Sequence, residues 1–165
     1  MRALLLGLGL FLASAPVFAA PIPTFDDPRD LLVAIYEQIE AAEDWENFDS
    51  DAAFNDVDAF STGLYATFSA ADAAVKADGN EMGVLDFSPF INGQDSGGMD
   101  FAVGQPKIKG DRAVIVVDIT GPRHQQITFE LVDDGPMGWK VDDIILPGYD
   151  GSEPERISDY FANPF

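Results

Sequence analysis

Two neighbouring segments, RAVIVVDIT at residues 112–120 and QQITFELV at residues 125–132, decide the fold class of this chain. In both segments every second residue is apolar: Ala113, Ile115, Val117 and Ile119 in the first, and Ile127, Phe129 and Leu131 in the second. A period of two places these side chains on one face of a strand. Gly121 and Pro122 supply a turn between the segments. The pattern therefore predicts two antiparallel strands that share one buried face.

Further strands and helices are predicted on both sides of this pair. Residues 102–109 are a candidate strand joined to the first segment by a Gly110-Asp111 turn, and residues 139–146 form the last strand. Upstream, Asp27 is predicted to cap a helix that begins at Pro28. A second amphipathic helix is predicted over residues 61–77 and a short one near residues 153–161.

Helices followed by an antiparallel meander are typical of an α+β domain. We predict N-terminal helices packed on a curved antiparallel sheet, in a single domain that spans residues 20–165. The predicted core consists of Leu32, Ile35, Ile39, Leu64, Phe68, Ile115, Val117, Ile127, Phe129, Trp139 and Val141.

The composition of the chain excludes several classes of function. Nine Lys and Arg residues against 29 Asp and Glu residues give a formal charge of −20 in 165 residues. Such a negative surface repels phosphate backbones and anionic lipids, which argues against nucleic-acid binding and against docking on a membrane surface. The lack of cysteine excludes disulfides, thiolate zinc sites and thiol nucleophiles. No phosphate-binding loop or dinucleotide motif is present, and no cofactor or metal is predicted.

The first 19 residues are predicted to be a secretory signal peptide. Arg2 precedes an apolar run from Ala3 to Ala15, and the small residues Val17 and Ala19 precede a cut after Ala19. This order of positive charge, short apolar run and small-residue cleavage site is typical of exported proteins. The run is shorter than the roughly 20 residues that span a bilayer. We therefore expect a bacterial periplasmic or secreted protein with no membrane span in its mature form.

Five residues are predicted to contact a ligand. Asp86, Gln94 and Asp95 belong to a Gly- and Pro-rich loop ahead of the first strand, where they could surround the mouth of a pocket. Trp139 and Asp143 share one face of the last strand if that strand is regular, and Asp143 would then point inward among apolar side chains. A bulge or an early strand end would instead turn Asp143 to solvent.

Two further patterns leave alternatives open. Asp86, Asn92, Asp95 and Asp100 carry hard oxygen ligands suited to calcium, but their spacing differs from that of an EF-hand loop. Capping of nearby backbone amides explains the same carboxylates. The single histidine, His124, follows a turn and is either an exposed turn residue or a general base paired with a carboxylate.

Three strings of the sequence carry a family resemblance. They are the apolar helix from Leu31 to Ile39, the loop LDFSPFINGQD at residues 85–95, and GWKVDDI at residues 138–144. With them the chain resembles an uncharacterised family of secreted bacterial proteins, a domain of unknown function, in the nuclear-transport-factor-2-like superfamily. The resemblance covers nearly the whole mature chain and implies a cone of helices against a curved sheet, with a pocket. It implies no catalytic residues.

These observations favour a non-catalytic binding or accessory domain with a small-molecule pocket. Binding requires only a concave apolar pocket with a few polar groups at its mouth. One alternative is an acidic interaction protein of the inhibitor or immunity type, steered electrostatically to a basic partner. Another is a small hydrolase or isomerase that uses Asp143 inside the cone. The predicted partner is a small molecule or a basic protein, and a homodimer is left open.

Overall fold

Helices and strands occupy separate parts of the chain, as the hydrophobic patterning predicts. The structure is a computed structural model that describes residues 22–44, 46–48, 53–80, 83–148 and 152–163; the predicted signal peptide lies outside them. The helices are α1 (Pro28–Ala42), α2 (Thr62–Ala77) and α3 (Ile157–Ala162). The strands are β1 (Asp100–Val103), β2 (Lys107–Lys109), β3 (Arg112–Thr120), β4 (Gln125–Asp133), β5 (Trp139–Leu146) and β6 (Glu155–Arg156). Within these ranges, no helix combines the length and apolarity needed to cross a bilayer.

The strands form one curved, unclosed antiparallel sheet, which confirms the predicted α+β class. Their order is β1-β3-β4-β5-β6, and β2 also pairs with β3. The single strand predicted over residues 102–109 is wrong, because β1 and β2 lie end to end along β3 with an interruption at residues 104–106. Pro106 has no amide hydrogen to donate, which is consistent with a break in the ladder at this point.

Both long helices begin where the sequence predicts. Asp27 caps α1, since its carboxylate accepts a hydrogen bond from the Arg29 amide at 2.8 Å. The Ser61 hydroxyl caps α2 by accepting from the Leu64 amide at 3.1 Å. Each cap satisfies a backbone donor that the first turn of a helix leaves without a partner. The tail differs more from prediction, because a two-residue strand precedes α3 and the helix begins at Ile157.

The helices and one face of the sheet enclose the core. The predicted core residues are buried except Ile39 and Phe68, which are partly buried against the cluster. At its centre lies Phe90, a loop residue whose ring stacks on Phe129 with centroids 5.7 Å apart. Tyr36 of α1 anchors this loop by donating a hydrogen bond to the Phe90 carbonyl at 2.7 Å. Aromatic side chains therefore fill the space between the helices and the sheet.

A bulge in β5 changes the orientation of its second half. Leu131 pairs with Val141 whereas Glu130 pairs with Asp143, so Asp142 is the additional residue. Two residues opposing one on the partner strand is the defining feature of a β-bulge. Asp143 consequently lies beside Glu130, away from the core face, and the prediction of a regular strand is wrong. The bulge named in the alternative is confirmed, but its expected consequence, exposure of Asp143 to solvent, is wrong, since this residue is 6% exposed.

Gly138 provides a test of the connection between the N-terminal segment and β5. Its φ is +67°, and a Cβ there would lie 2.5 Å from the Phe25 carbonyl oxygen. Gly110, in the turn between β2 and β3, has a φ of +66° but open space around it. We expect Gly138→Ala to lower the free energy of unfolding by about 1–2 kcal/mol more than Gly110→Ala, since both substitutions strain φ and only the first adds a clash. Urea unfolding of the two variants measures this difference, and equal losses would contradict the proposed clash.

Candidate functional site

The five predicted ligand residues do not form one cluster. Trp139 is 8% exposed and holds the segment before α1. Its indole Nε1 donates to the Asp26 carbonyl at 3.1 Å, and its backbone amide donates to the Phe25 carbonyl at 3.0 Å. These bonds give Trp139 a structural role at the start of β5.

The loop that contains Asp86, Gln94 and Asp95 is closed by its own hydrogen bonds. Gln94 Nε2 donates to the Asp86 carbonyl at 2.9 Å, and Asp95 Oδ1 accepts from the Gly97 amide at 2.7 Å. All three side chains are exposed. The amide-capping alternative therefore describes Asp95. Among the residues that the structure describes, no three His, Cys, Asp or Glu side chains are grouped to hold a metal ion.

Other residues of this loop form part of a cavity at the end of the sheet. We call this cavity the end groove; it measures about 510 Å³ and is lined by Asn92, Arg123, His124, Gln125, Gln126, Pro147 and Gly148. The loop is docked onto β4 here, because Gln125 Nε2 donates to the Ile91 carbonyl at 2.8 Å and Asn92 Nδ2 to Gln125 Oε1 at 3.3 Å. These bonds hold the walls of the groove in place.

A smaller, more apolar cavity adjoins the end groove and shares Asn92 and Pro147 with it. This recess measures about 200 Å³, and its other lining residues are Phe87, Leu146, Glu155, Arg156, Ile157 and Tyr160. Burial raises the pKa of Tyr160, and the charges of Asp86 and Glu155 raise it further. Asp86, one of the five predicted ligand residues, therefore influences the recess through the effect of its charge on Tyr160.

Asp143 acts on the recess indirectly, by holding Arg156. Its Oδ2 accepts hydrogen bonds from Arg156 at 2.7 Å and from the Ser158 hydroxyl at 2.8 Å, and its Oδ1 accepts from the Ser158 amide at 3.1 Å. Arg156 also binds Glu130 through both of its terminal nitrogens, at 2.8 and 3.0 Å. The bonds to Glu130 and then to Asp143 raise the pKa of Arg156. Asp143 is therefore a positioning residue for a cation in the wall of the recess.

His124 pairs with Asp118 on the side of the end groove. Its Nε2 lies 2.7 Å from Asp118 Oδ1, and Gln126 donates to the same oxygen at 3.2 Å. The hydrogen bond with His124, followed by that from Gln126, lowers the pKa of Asp118. The sequence left open whether His124 is an exposed turn residue or is paired with a carboxylate. In the structure its side chain is 65% exposed and is also paired with Asp118.

Three residues that line the recess, Arg156, Phe87 and Tyr160, are not among the ligand residues predicted from the sequence. One available signal was the position of Arg156, a single base in a tail with four acids and an apolar Ile157 next to it. The end groove and recess together offer amides, cations and aromatic rings to a small organic molecule. Comparison of the chain with protein-family models, with curated proteins and with solved structures gave no match.

Proposed function

We propose that this chain is a secreted, non-catalytic binding domain whose site is the end groove with its recess. The observation that carries the proposal is the composition of the lining, an apolar recess opening into a groove with several hydrogen-bond donors. Small-molecule sites typically combine apolar walls with a few placed polar groups in about 300–1,000 Å³. The proposed ligand is a small organic acid with an aromatic or other apolar group.

The charges of the lining support an acidic ligand. Arg123 contributes a positive charge to the end groove, whereas Arg156, already paired with Glu130 and Asp143, contributes hydrogen-bond donors to the recess beside Glu155. Of the nine Lys and Arg residues of the chain, Arg123 lines the end groove and Arg156 lines the recess. A carboxylate ligand could pair with Arg123 in the end groove, whose described lining residues include no Asp or Glu.

The fold and the location belong to the same proposal. The helices on one face of a curved antiparallel sheet, together with the three sequence strings, support a nuclear-transport-factor-2-like cone. The N-terminal charge, apolar run and small residues support export to the periplasm or beyond. The alternative of a hydrolase or isomerase has weaker support, because both oxygens of Asp143 already accept hydrogen bonds from the tail. The alternative of a basic protein partner rests on the net charge alone.

An NMR titration with three matched probes tests this site. We expect phenylacetate to shift the amide resonances of Asn92, Gln125 and Tyr160, with phenylacetamide weaker. Phenethylamine should leave the Gln125 and Tyr160 resonances unchanged, because its ammonium group cannot pair with Arg123. Arg123→Gln should weaken phenylacetate binding about fivefold, the effect of one partly exposed charge of roughly 1 kcal/mol.

Lys107→Gln is the matched control, since this exposed lysine lies on β2 at the other end of β3. We expect it to leave phenylacetate binding unchanged. Equal losses in the two variants would show a general charge effect and refute the site. Shifts that map away from the groove, or none with phenylacetate, would also refute it.

A further inference from the structure

A third cavity lies on the other side of the loop that borders the end groove. It measures about 460 Å³, and its lining includes Gln38, Ile39, Phe54, Asp56, Ser88 and Ile91. We call it the Asp56 pocket. Phe87 and Asn92 of the loop face the recess, whereas Ser88 and Ile91 face this pocket. The loop is thus a partition between two cavities with different linings.

Hydrogen bonds between separate parts of the chain fix two walls of the Asp56 pocket. The Gln38 side chain on α1 binds the backbone of Phe54 twice, donating to its carbonyl at 2.8 Å and accepting from its amide at 3.0 Å. The Ser88 hydroxyl donates to Asp56 Oδ2 at 2.6 Å and so joins the loop to the 3-10 turn Asp56–Ala59. A binding site that is already ordered loses less conformational entropy when a ligand enters.

Asp56 carries a negative charge into these apolar surroundings with little compensation. Its side chain is half-buried, and Ser88 is the one hydrogen-bond donor to it among the described residues. A carboxylate can accept about four hydrogen bonds, so capacity for a further donor remains. Burial raises the pKa of Asp56, with the bond from Ser88 acting in the opposite direction. A desolvated charge of this kind is costly to the fold unless it is paired.

We propose that the Asp56 pocket binds a small organic cation, an ammonium group attached to an apolar body. The ammonium would lie against the carboxylate, and the apolar body would lie against Ile39, Phe54 and Ile91. A divalent metal ion is a poorer occupant, since it requires several oxygen ligands and no group of three acidic or imidazole side chains occurs among the described residues. The strong negative charge of the chain also attracts cations. This inference is independent of the function proposed for the end groove.

The melting temperature of an Asp56→Asn variant shows whether the charge of Asp56 stabilises the folded protein. Because the folded-state pKa is raised above its ordinary 3.8, the folded protein retains this proton to higher pH than the unfolded chain. The contribution of Asp56 to the free energy of unfolding is therefore complete below pH 3.8 and is lost as the pH rises through the raised pKa of the folded state. From α1 the facing titratable group is Tyr36, which burial keeps protonated, and Asp58 lies on the same turn. We expect Asp56→Asn to melt at or above the wild-type temperature at neutral pH, so loss of binding would not reflect unfolding.

The binding experiment compares phenethylamine with phenethyl alcohol, which has nearly the same shape without the charge. We expect the amine to shift the amide resonances of Gln38, Phe54 and Ser88, and to bind at least about tenfold more tightly than the alcohol. Asp56→Asn should reduce this preference to about twofold or less, the loss of one desolvated ion pair. Asp95→Asn, an exposed carboxylate of the same loop, should retain the preference.

Three outcomes would overturn the proposal: equal affinity for amine and alcohol, equal loss in Asp56→Asn and Asp95→Asn, or amine shifts that map outside the Asp56 pocket. Phenylacetate serves as a separate probe in the same samples. Its shifts at Asn92 and Gln125 report the end groove, so failure of one site is distinguished from failure of the other.

Discussion

Replacement of Phe90 by alanine is expected to lower the free energy of unfolding by about 3–5 kcal/mol, the cost of removing a fully buried aromatic side chain. Phe90 is 0% exposed, although it belongs to a loop. Its ring stacks on Phe129 and lies 6.4 Å from the ring of Phe60, between the sheet and the segment before α2. The substitution removes both contacts and leaves a cavity that the rigid β4 strand cannot close.

Tyr65→Ala is the matched control for Phe90→Ala. Tyr65 is 47% exposed on α2, and its ring contacts Phe68 at the surface. We expect a loss of less than about 1 kcal/mol, as for most surface substitutions. Urea unfolding followed by tryptophan fluorescence and by circular dichroism measures both variants. Similar losses in the two variants would show that Phe90 does not support the core.

The same substitution should weaken both proposed binding sites. Phe90 lies in the loop that separates the end groove from the Asp56 pocket, and Ile91 and Asn92 follow it directly. Loss of its anchor would therefore disturb both cavity walls. Tyr65→Ala should leave the phenylacetate and phenethylamine shifts unchanged, which separates the effect of the loop from a general loss of stability.

The elements predicted correctly are those whose signals are local in the sequence. The Asp27 cap acts on the Arg29 amide, two residues away, so its effect depends little on the rest of the fold. The alternation in β3 and β4 is equally local, since one turn of a few residues joins the two strands. Periodicity and cap chemistry were sufficient to predict the helices on an antiparallel sheet.

The elements predicted incorrectly depend on contacts between distant residues. The bulge at Asp142 has no marker in its own strand; Asp142 accepts a hydrogen bond from Ser61 at 2.7 Å and pairs with Arg112, both far away in the chain. The sequence predicts a loop rich in Gly and Pro at residues 85–95, but it does not indicate that Phe90 and Ile91 of this loop are buried. No period identifies an inward side chain in an irregular loop.

The candidate site residues show the same difference between local signals, which the sequence reveals, and contacts with distant residues, which it does not. Asp143 was recognised as an inward or outward alternative, but the cover supplied by Arg156 and Ser158 comes from the tail, beyond the reach of strand periodicity. Asp56 belongs to a block of twelve acids and one base at residues 26–58, a pattern that usually indicates a solvated surface. Its partial burial depends on Ser88, 32 residues away.

Replacement of Asp143 is expected to have the second large effect, because this residue attaches the C-terminal tail to β5. The carboxylate accepts bonds from the Arg156 guanidinium and from the amide and hydroxyl of Ser158. It thereby joins β5 to the start of α3, whose Phe161 packs on Phe68 with ring centroids 5.4 Å apart. Asp143→Ala removes these acceptors and leaves the partly buried amide and hydroxyl of Ser158 without them. Hydrogen bonds to a charged group contribute about 1.5–3 kcal/mol, so we expect the variant to lose about 2–3 kcal/mol.

Trypsin cleavage after Arg156 measures this loss where it occurs. A cost of about 2 kcal/mol that falls on local opening of the tail should raise the cleavage rate roughly thirtyfold, provided that opening is faster than cleavage. Asp143→Asn retains one oxygen for the Ser158 amide but loses the charge that faces Arg156, and we expect an intermediate rate. Asp118→Asn, an exposed carboxylate on β3, should leave the rate unchanged. A cleavage rate in Asp143→Ala no higher than in Asp118→Asn would show that the tail is held by its apolar contacts alone, and that Asp143 does not position Arg156 in the recess.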